Sequence, residues 1–362
     1  MDIRELQFSQ EQHTALEAKQ EAQRIAFAPF VFQSSKALRD LGILRVIEAA
    51  GEQGIDLEAI VTELGLSKYA VRVLVEAGLG IGALLLVDGR YLLGKLGWFL
   101  QNDAMTRVNM NFVHDVNYKG FYHLQDSLRE GRPAGLVELA PEAKTIYEVL
   151  ATLPEGVRKS WLEFDHFYSD NSFGIVLPLI FDQPVARILD VGANTGKWAI
   201  ACGKYDAQVQ VTLCDLPGQL TLARENVAAQ GLLARVVEYP IDILHPETVL
   251  PSGHDVIWMS QFLDCFSEDE IVMILKKAAA VMTADTRLFI METYWDRQRF
   301  ENAAFCLQQT SLYFTCLANG NSQMYHSQVM HDCIRKAGLT VVAEVDGVGI
   351  SHTISTVMKS AA

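Results

Sequence analysis

Arg187-Ile-Leu-Asp-Val-Gly-Ala-Asn-Thr-Gly-Lys-Trp198 is the stretch that decides the fold. It reads as a buried strand running into a glycine-punctuated turn that opens a helix. Gly192 and Gly196 lack a Cβ, so they can take positive φ and let a ligand approach bare main chain. Asn194 between them tolerates the left-handed region almost as well. The next strand, Val209-Gln-Val-Thr-Leu-Cys-Asp-Leu-Pro217, ends in Asp215 and Leu216. Asp215 falls about 20 residues after the turn, where a ribose-binding acid belongs. The turn is spaced Gly-x-Asn-x-Gly, whereas a pyrophosphate calls for Gly-x-Gly-x-x-Gly. Asp190 just before it would repel a dinucleotide but welcome a sulfonium cofactor with a free ammonium group. The stretch therefore points to S-adenosylmethionine.

The chain has 362 residues, half of them hydrophobic, enough for two globular domains. Its formal net charge of −14 disfavours nucleic acid and anionic membranes as partners, and favours a small molecule. Cys202, Cys214, Cys265, Cys306, Cys316 and Cys333 form no Cys-x-x-Cys pair and accompany no zinc-spaced histidines, so they read as reduced core thiols, with no metal expected. The first residues carry no basic region followed by an apolar run, and no apolar stretch of about 18 residues occurs. A cytoplasmic protein is expected.

Residues 10–28 and 30–50 have helical periodicity, the second run ending at Gly51. Residues 57–65 and 67–78 read as two short helices around a Gly-Leu-Ser turn, followed by a hairpin through Val87-Asp-Gly-Arg90. Together they predict a winged helix-turn-helix. Its second helix offers only Lys68 and Arg72 against Glu76, so its apolar faces are expected to meet a second subunit or cover a site rather than DNA. Residues 105–180 are helical again and include Trp161-Leu-Glu-Phe-Asp-His-Phe-Tyr168, a segment able to roof a pocket. Strands near 186–191, 209–214, 235–239, 254–259 and 286–292 then alternate with helices, and a strand pair at 339–345 and 353–359 closes the chain. The fold class is α/β, a Rossmann-like domain behind a helical winged-helix domain. Expected boundaries are 1–105, 106–180 for a helical connector, and 181–362 for the cofactor-binding domain.

In this order of features the chain resembles the small-molecule O-methyltransferases, which carry a dimerising winged-helix domain before a class I S-adenosylmethionine domain. The resemblance spans nearly the whole chain and rests on Asp190-Val-Gly-Ala-Asn-Thr-Gly196, Asp215-Leu-Pro217, Asp242 after the third strand and Leu263 to Glu270 after the fourth. It implies a homodimer, with S-adenosylhomocysteine as the spent cofactor. By position, Gly192 would receive the methionine end of the cofactor, Asp215 the ribose hydroxyls, and Asp242 with Ile243 the adenine edge, with Leu216 also counted as cofactor-binding. Ser260 and Gln261, at the end of the fourth strand, are counted with them. Asp242 is equally a residue type that caps turns.

Where the family usually has Leu-His-Asp-Trp, its His being the base, this chain reads Leu263-Asp264-Cys265-Phe266. The Glu that positions that His survives as Glu292, and a second supporting Glu falls near Met324 and is lost. Asp264, Glu292 and His166 are therefore the candidate bases, with Asp264 or Glu292 orienting His166. Loss of the imidazole with two carboxylates kept fits methylation of a ring carbon ortho to a phenol hydroxyl. The stretches from Trp258 to Ser267 and from Glu292 to Arg297 also resemble a bacterial branch linked to tyrosine-derived phenols and aryl polyenes. Tyr168, Tyr294, Tyr313 and Phe314 are expected as aromatic walls, and Arg297 or Arg299 as a partner for any substrate carboxylate. O-methylation of a phenolic natural product is the alternative, and a cofactor-binding regulator without catalysis is the second.

Overall fold

The computed structural model describes residues 8–360. The chain folds as two compact units, Met1–Asn111 and Phe112–Ala362. The second unit takes in the connector that the sequence set apart.

The first unit is helical. Helix Ala15–Ala26 opens on a capping box, Thr14 and Glu17 each meeting the other's backbone N–H, yet buries none of its side chains. The apolar run over 30–50 is not one helix: Gly42, at φ +82°, separates Ala28–Asp40 from Ile43–Ala49. Asp56 and Ser67 cap the next two helices, Leu57–Leu64 and Lys68–Gly80, by accepting from the N–H groups of Ala59 and Ala70. The hairpin β1 (Leu84–Val87) and β2 (Arg90–Leu93) turns through Asp88 and Gly89, both at positive φ, as the Asp-Gly pair predicts. Leu38, Leu44, Ile47, Ile60, Val71 and Val75 lie at its core. Lys68 is paired with Glu58, so the helix-turn-helix presents even less positive charge than its sequence suggests.

The second unit is built on a seven-stranded sheet. Its strands are β3 (Arg187–Val191), β4 (Gln210–Asp215), β5 (Val236–Pro240), β6 (Val256–Ser260), β7 (Arg287–Glu292), β8 (Leu339–Val348) and β9 (His352–Lys359). They lie in the order β5-β4-β3-β6-β7-β9-β8, parallel through β7, with β9 antiparallel to both neighbours. β6 and β7 are almost wholly apolar because helices cover both faces of the sheet. Alternate residues feed two cores: Leu189, Ile257 and Ile290 on one face, Ile188, Trp258 and Phe289 on the other. Strand order reverses between β3 and β6, which opens a crevice at their carboxyl ends. Helix Glu155–Ser169 is held against the turn Phe112–Asn117 by Phe112 and Phe164, stacked 4.0 Å apart.

Trp258 stacks on Trp198, ring centroids 4.2 Å apart, and ties β6 to helix Lys197–Tyr205 behind the glycine turn. Trp258 is almost fully buried, so Trp258→Ala is expected to cost about 3–5 kcal/mol, read as a lower urea midpoint at unchanged slope.

Candidate active site

At the reversal point lies a cavity of about 370 Å³. Gly192 stands on its wall at φ +82°, and a Cβ there would overlap the Phe262 ring. Asn194 and Gly196 also take positive φ, as the turn's spacing predicts. Asp215 staples the turn: its carboxylate accepts from Asn194 N at 2.8 Å and from Leu216 N at 2.7 Å. Burial raises its pKa to about 6, against the pull of those two N–H groups.

Asp190 is 2% exposed and lines the cavity, and its Oδ2 has no hydrogen-bond partner. Burial, and then the nearby Asp215, pushes its carboxyl well above the ordinary carboxylate range. A buried oxygen without a partner is costly, and an ammonium group placed there satisfies both its hydrogen bond and its charge. Asp215 keeps lone pairs for a diol. The site thus fits a cofactor with a cationic end and a ribose.

Asp242 sits on the rim, where its Oδ1 accepts from Leu244 N at 2.9 Å, so it also caps a turn. Ile243 is buried beside it, and its carbonyl accepts from Lys277 Nζ at 2.7 Å. Ser260 and Gln261 line the cavity after β6. Gln261 is held at φ +46°, with its backbone N–H on Met291 O.

The three candidate bases do not meet at one point. His166 lines the cavity beside the cofactor turn, its Nε2 3.1 Å from Thr195 Oγ1 and its Nδ1 3.5 Å from Asp170 Oδ1. Thr195 and Asp170 orient it, not Asp264 or Glu292. Asp264, 5% exposed, accepts the Cys265 thiol at 3.5 Å. Glu292 is 1% exposed, and its Oε1 accepts from Phe262 N at 3.0 Å and Leu263 N at 2.8 Å. Neither carboxylate is among the cavity's walls. Burial raises both, Asp264 to about 7, with nearby Asp165 adding to the shift of Asp264 and Asp264 adding to that of Glu292. Glu292 clasps the loop that carries Asp264, which explains why this acid persists without a histidine to position.

The expected aromatic walls are a correction. Tyr294 is buried in the sheet's core and Tyr313 and Phe314 in the cluster around Phe112, where Trp161 Nε1 donates to the Tyr313 hydroxyl. Tyr168 packs edge-on against Phe164 and Phe167. None of the four lines the cavity, whose aromatic walls include Tyr147, Trp161, Phe262 and Phe266. Arg297 is engaged by Asp296, Glu344 and Asp346, so no substrate carboxylate is needed to explain it. Cys306 is exposed, and Cys265 lies on the cavity wall, so the thiols are not uniformly core. Asp165, which sequence reasoning misses, also lines the cavity. Its neighbours in sequence, aromatic and apolar at helical spacing, mark the helix but not which side faces the ligand.

A seven-stranded sheet of this order, with a glycine turn, a buried Asp190 and a half-buried Asp215 at its reversal point, defines a class I S-adenosylmethionine-dependent methyltransferase. The O-methyltransferase domain model matches residues 121–339, and the chain belongs to that family. Residues 19–91 match the Dimerisation2-like domain. The 3-hydroxy-5-methyl-1-naphthoate 3-O-methyltransferase of Streptomyces sahachiroi is 27% identical over 161 residues, 44% of this chain and 45% of that protein, so the match spans about half the relative's length. The bacteriochlorophyllide d C-20 methyltransferase of Chlorobaculum tepidum is 21% identical over 248 residues, 67% of this chain and 69% of the relative. The structure of PigF with SAH shares the fold at a TM-score of 0.70 and 18% identity, covering 94% of this chain and 99% of that one.

Two outcomes are expected. Gly192→Ala combines a strained φ with overlap on Phe262, and calorimetry should show S-adenosylhomocysteine affinity lowered at least about tenfold. Asp264 is raised in the fold from 3.8 to about 7, so the native state holds its proton longer than the unfolded chain does. Its contribution to stability is therefore full at low pH and declines as pH rises from about 4 to 7. Asp264→Asn should melt higher than the parent at pH 8 and much the same at pH 4.

Proposed function

We propose that this protein methylates a small phenolic acceptor with S-adenosylmethionine, at the ring carbon ortho to the hydroxyl. The observation that carries the reading is one cavity joining Asp190, whose Oδ2 lacks a partner, and Asp215 to the aromatic walls Tyr147, Trp161, Phe262 and Phe266. The bound cofactor supplies an electrophilic methyl group on a sulfonium. Asp190 and Asp215 hold its charged and ribose ends, with Asp242 and Ile243 at the adenine edge. The aromatic walls keep water out and orient a flat acceptor toward the glycine turn. With an aspartate in place of the usual imidazole, the chain favours carbon, because a phenolate directs electron density to its ortho position. The relative named for C-20 methylation supports a carbon acceptor within the family's range. The naphthoate 3-O-methyltransferase supports oxygen as the second reading.

A homodimer belongs to the same proposal. It is supported by the dimerisation-like match and by helix Ala15–Ala26, which buries no side chain and leaves Leu16 and Ile25 exposed.

Methyl-labelled cofactor offered with a panel of phenols, tyrosine among them, tests the reading. Mass and proton spectra of the product are expected to show one added methyl group and one lost aromatic proton. A methyl ether with all ring protons kept selects oxygen. No label in any phenol, with cofactor bound tightly, contradicts the reading.

A further inference from the structure

Asp165 reaches the cavity from helix Glu155–Ser169, between the cofactor turn and the loop after β6. Its Oδ2 accepts from Asn194 Nδ2 at 3.0 Å and its Oδ1 lies 3.4 Å from Gln261 Nε2. Asn194 belongs to the turn at the methionine end, and Gln261 to the loop bearing Phe262 and Phe266. The carboxylate therefore stands where a methyl group and an aromatic acceptor must meet.

The Gln261 amide is fixed from behind. His352, fully buried at the start of β9, has its Nε2 3.0 Å from Gln261 Oε1. Burial lowers the pKa of His352 to about 4, so the ring is neutral at working pH. A carboxylate only accepts, so the Gln261 Nε2 group faces Asp165 and its Oε1 faces His352, an arrangement met by the tautomer protonated at Nε2. Two amides thus locate Asp165 while leaving lone pairs on both oxygens.

We propose that Asp165 is the general base of this enzyme, taking the proton of the acceptor's hydroxyl, and that His352 acts as a positioning residue through Gln261. Asp264 and Glu292, which stand where the family keeps its base and that base's support, do not reach the cavity wall, whereas Asp165 does. One proton leaves the acceptor for each methyl group gained. Asp165 takes the hydroxyl proton and passes it to water at the cavity mouth; the ortho carbon then bonds the methyl group as that group's bond to sulfur breaks, and the freed carboxylate accepts the ring proton and returns it to the phenolate oxygen, which restores the aromatic phenol. Burial raises the carboxyl above its ordinary value and so strengthens it as a base. The charged or titratable groups that face it are His166 and Asp170 along the same segment, Lys197 beyond the turn, Asp264 in the loop and Tyr313 behind the helix.

The assignment rests on a phenolic acceptor, and Asp165→Asn tests it with and without turnover. With a phenol that is neutral at pH 8 and with saturating cofactor, kcat should fall about 10²–10⁴-fold and the acidic limb of its pH profile should vanish. With 4-nitrophenol, already ionised at that pH, the variant should come within about tenfold of the parent. S-adenosylhomocysteine affinity should stay within about threefold. In the S-adenosylhomocysteine complex, absorbance titration of bound 4-nitrophenol should give a pKa lowered by about one unit in the variant, because a neighbouring carboxylate no longer repels the phenolate. His352→Ala should reduce kcat with little change in KM and should flatten the same limb. Equal losses with both phenols, a tenfold loss of cofactor affinity, or an unmoved pKa of bound nitrophenol overturns the role of Asp165. Failure of the parent protein to methylate any phenol overturns the phenol reading instead, and the absorbance titration still decides whether Asp165 faces the acceptor.

Discussion

The site depends on an unpaid electrostatic debt at the end of β3. Asp190 lies inside the sheet's carboxyl edge with one oxygen lacking a partner, and Asp215 stands beside it. Two acids so placed, one buried and one half-buried, resist ionisation unless a cation joins them. The glycine turn between them keeps the space open, since any side chain at 192 would meet the Phe262 ring. Stability is thus given up at the wall of the cavity.

The rest of the unit fixes this arrangement. Parallel pairing of β3 with β4 and β6 sets Asp190, Asp215 and Ser260 along one edge of the sheet. The two stacked tryptophans lock the helix that begins at Gly196 onto β6. Glu292 at the end of β7 holds the next loop by two backbone N–H groups, so the aromatic side of the cavity is shaped by a buried carboxylate. Helix Glu155–Ser169 brings Trp161, Asp165 and His166 to the opposite wall.

Much of this was legible in the sequence. The five parallel strands, the closing pair and the glycine turn are encoded by local period and by residues that alone tolerate positive φ. The Asp-Gly hairpin of the first unit is legible for the same reason. The break at Gly42 was not, because apolar spacing continues on both sides of it. The cavity's aromatic walls were missed for a different cause. Tyr294, Tyr313 and Phe314 stand in apolar segments that serve the core as readily as a pocket, and tertiary packing decides between the two. Asp264 drew notice by standing where a histidine was expected, yet its surroundings, not its position in sequence, place it beneath the cavity wall. Asp165 looked like one polar residue in an aromatic helix, and only its contacts with Asn194 and Gln261 reveal it.

If Asp190 and Asp215 receive the cofactor's cation, binding must move protons. Calorimetric titration with S-adenosylmethionine near pH 6, in buffers of different ionisation enthalpy, measures the protons exchanged on binding. Asp215 titrates near that pH and burial pushes the Asp190 carboxyl well above the ordinary carboxylate range, so the arriving ammonium should drive both toward their anions and release protons. Net release that shrinks in Asp190→Asn is the expected result. Binding with no proton exchange, or with uptake, would mean that these acids do not receive the cation.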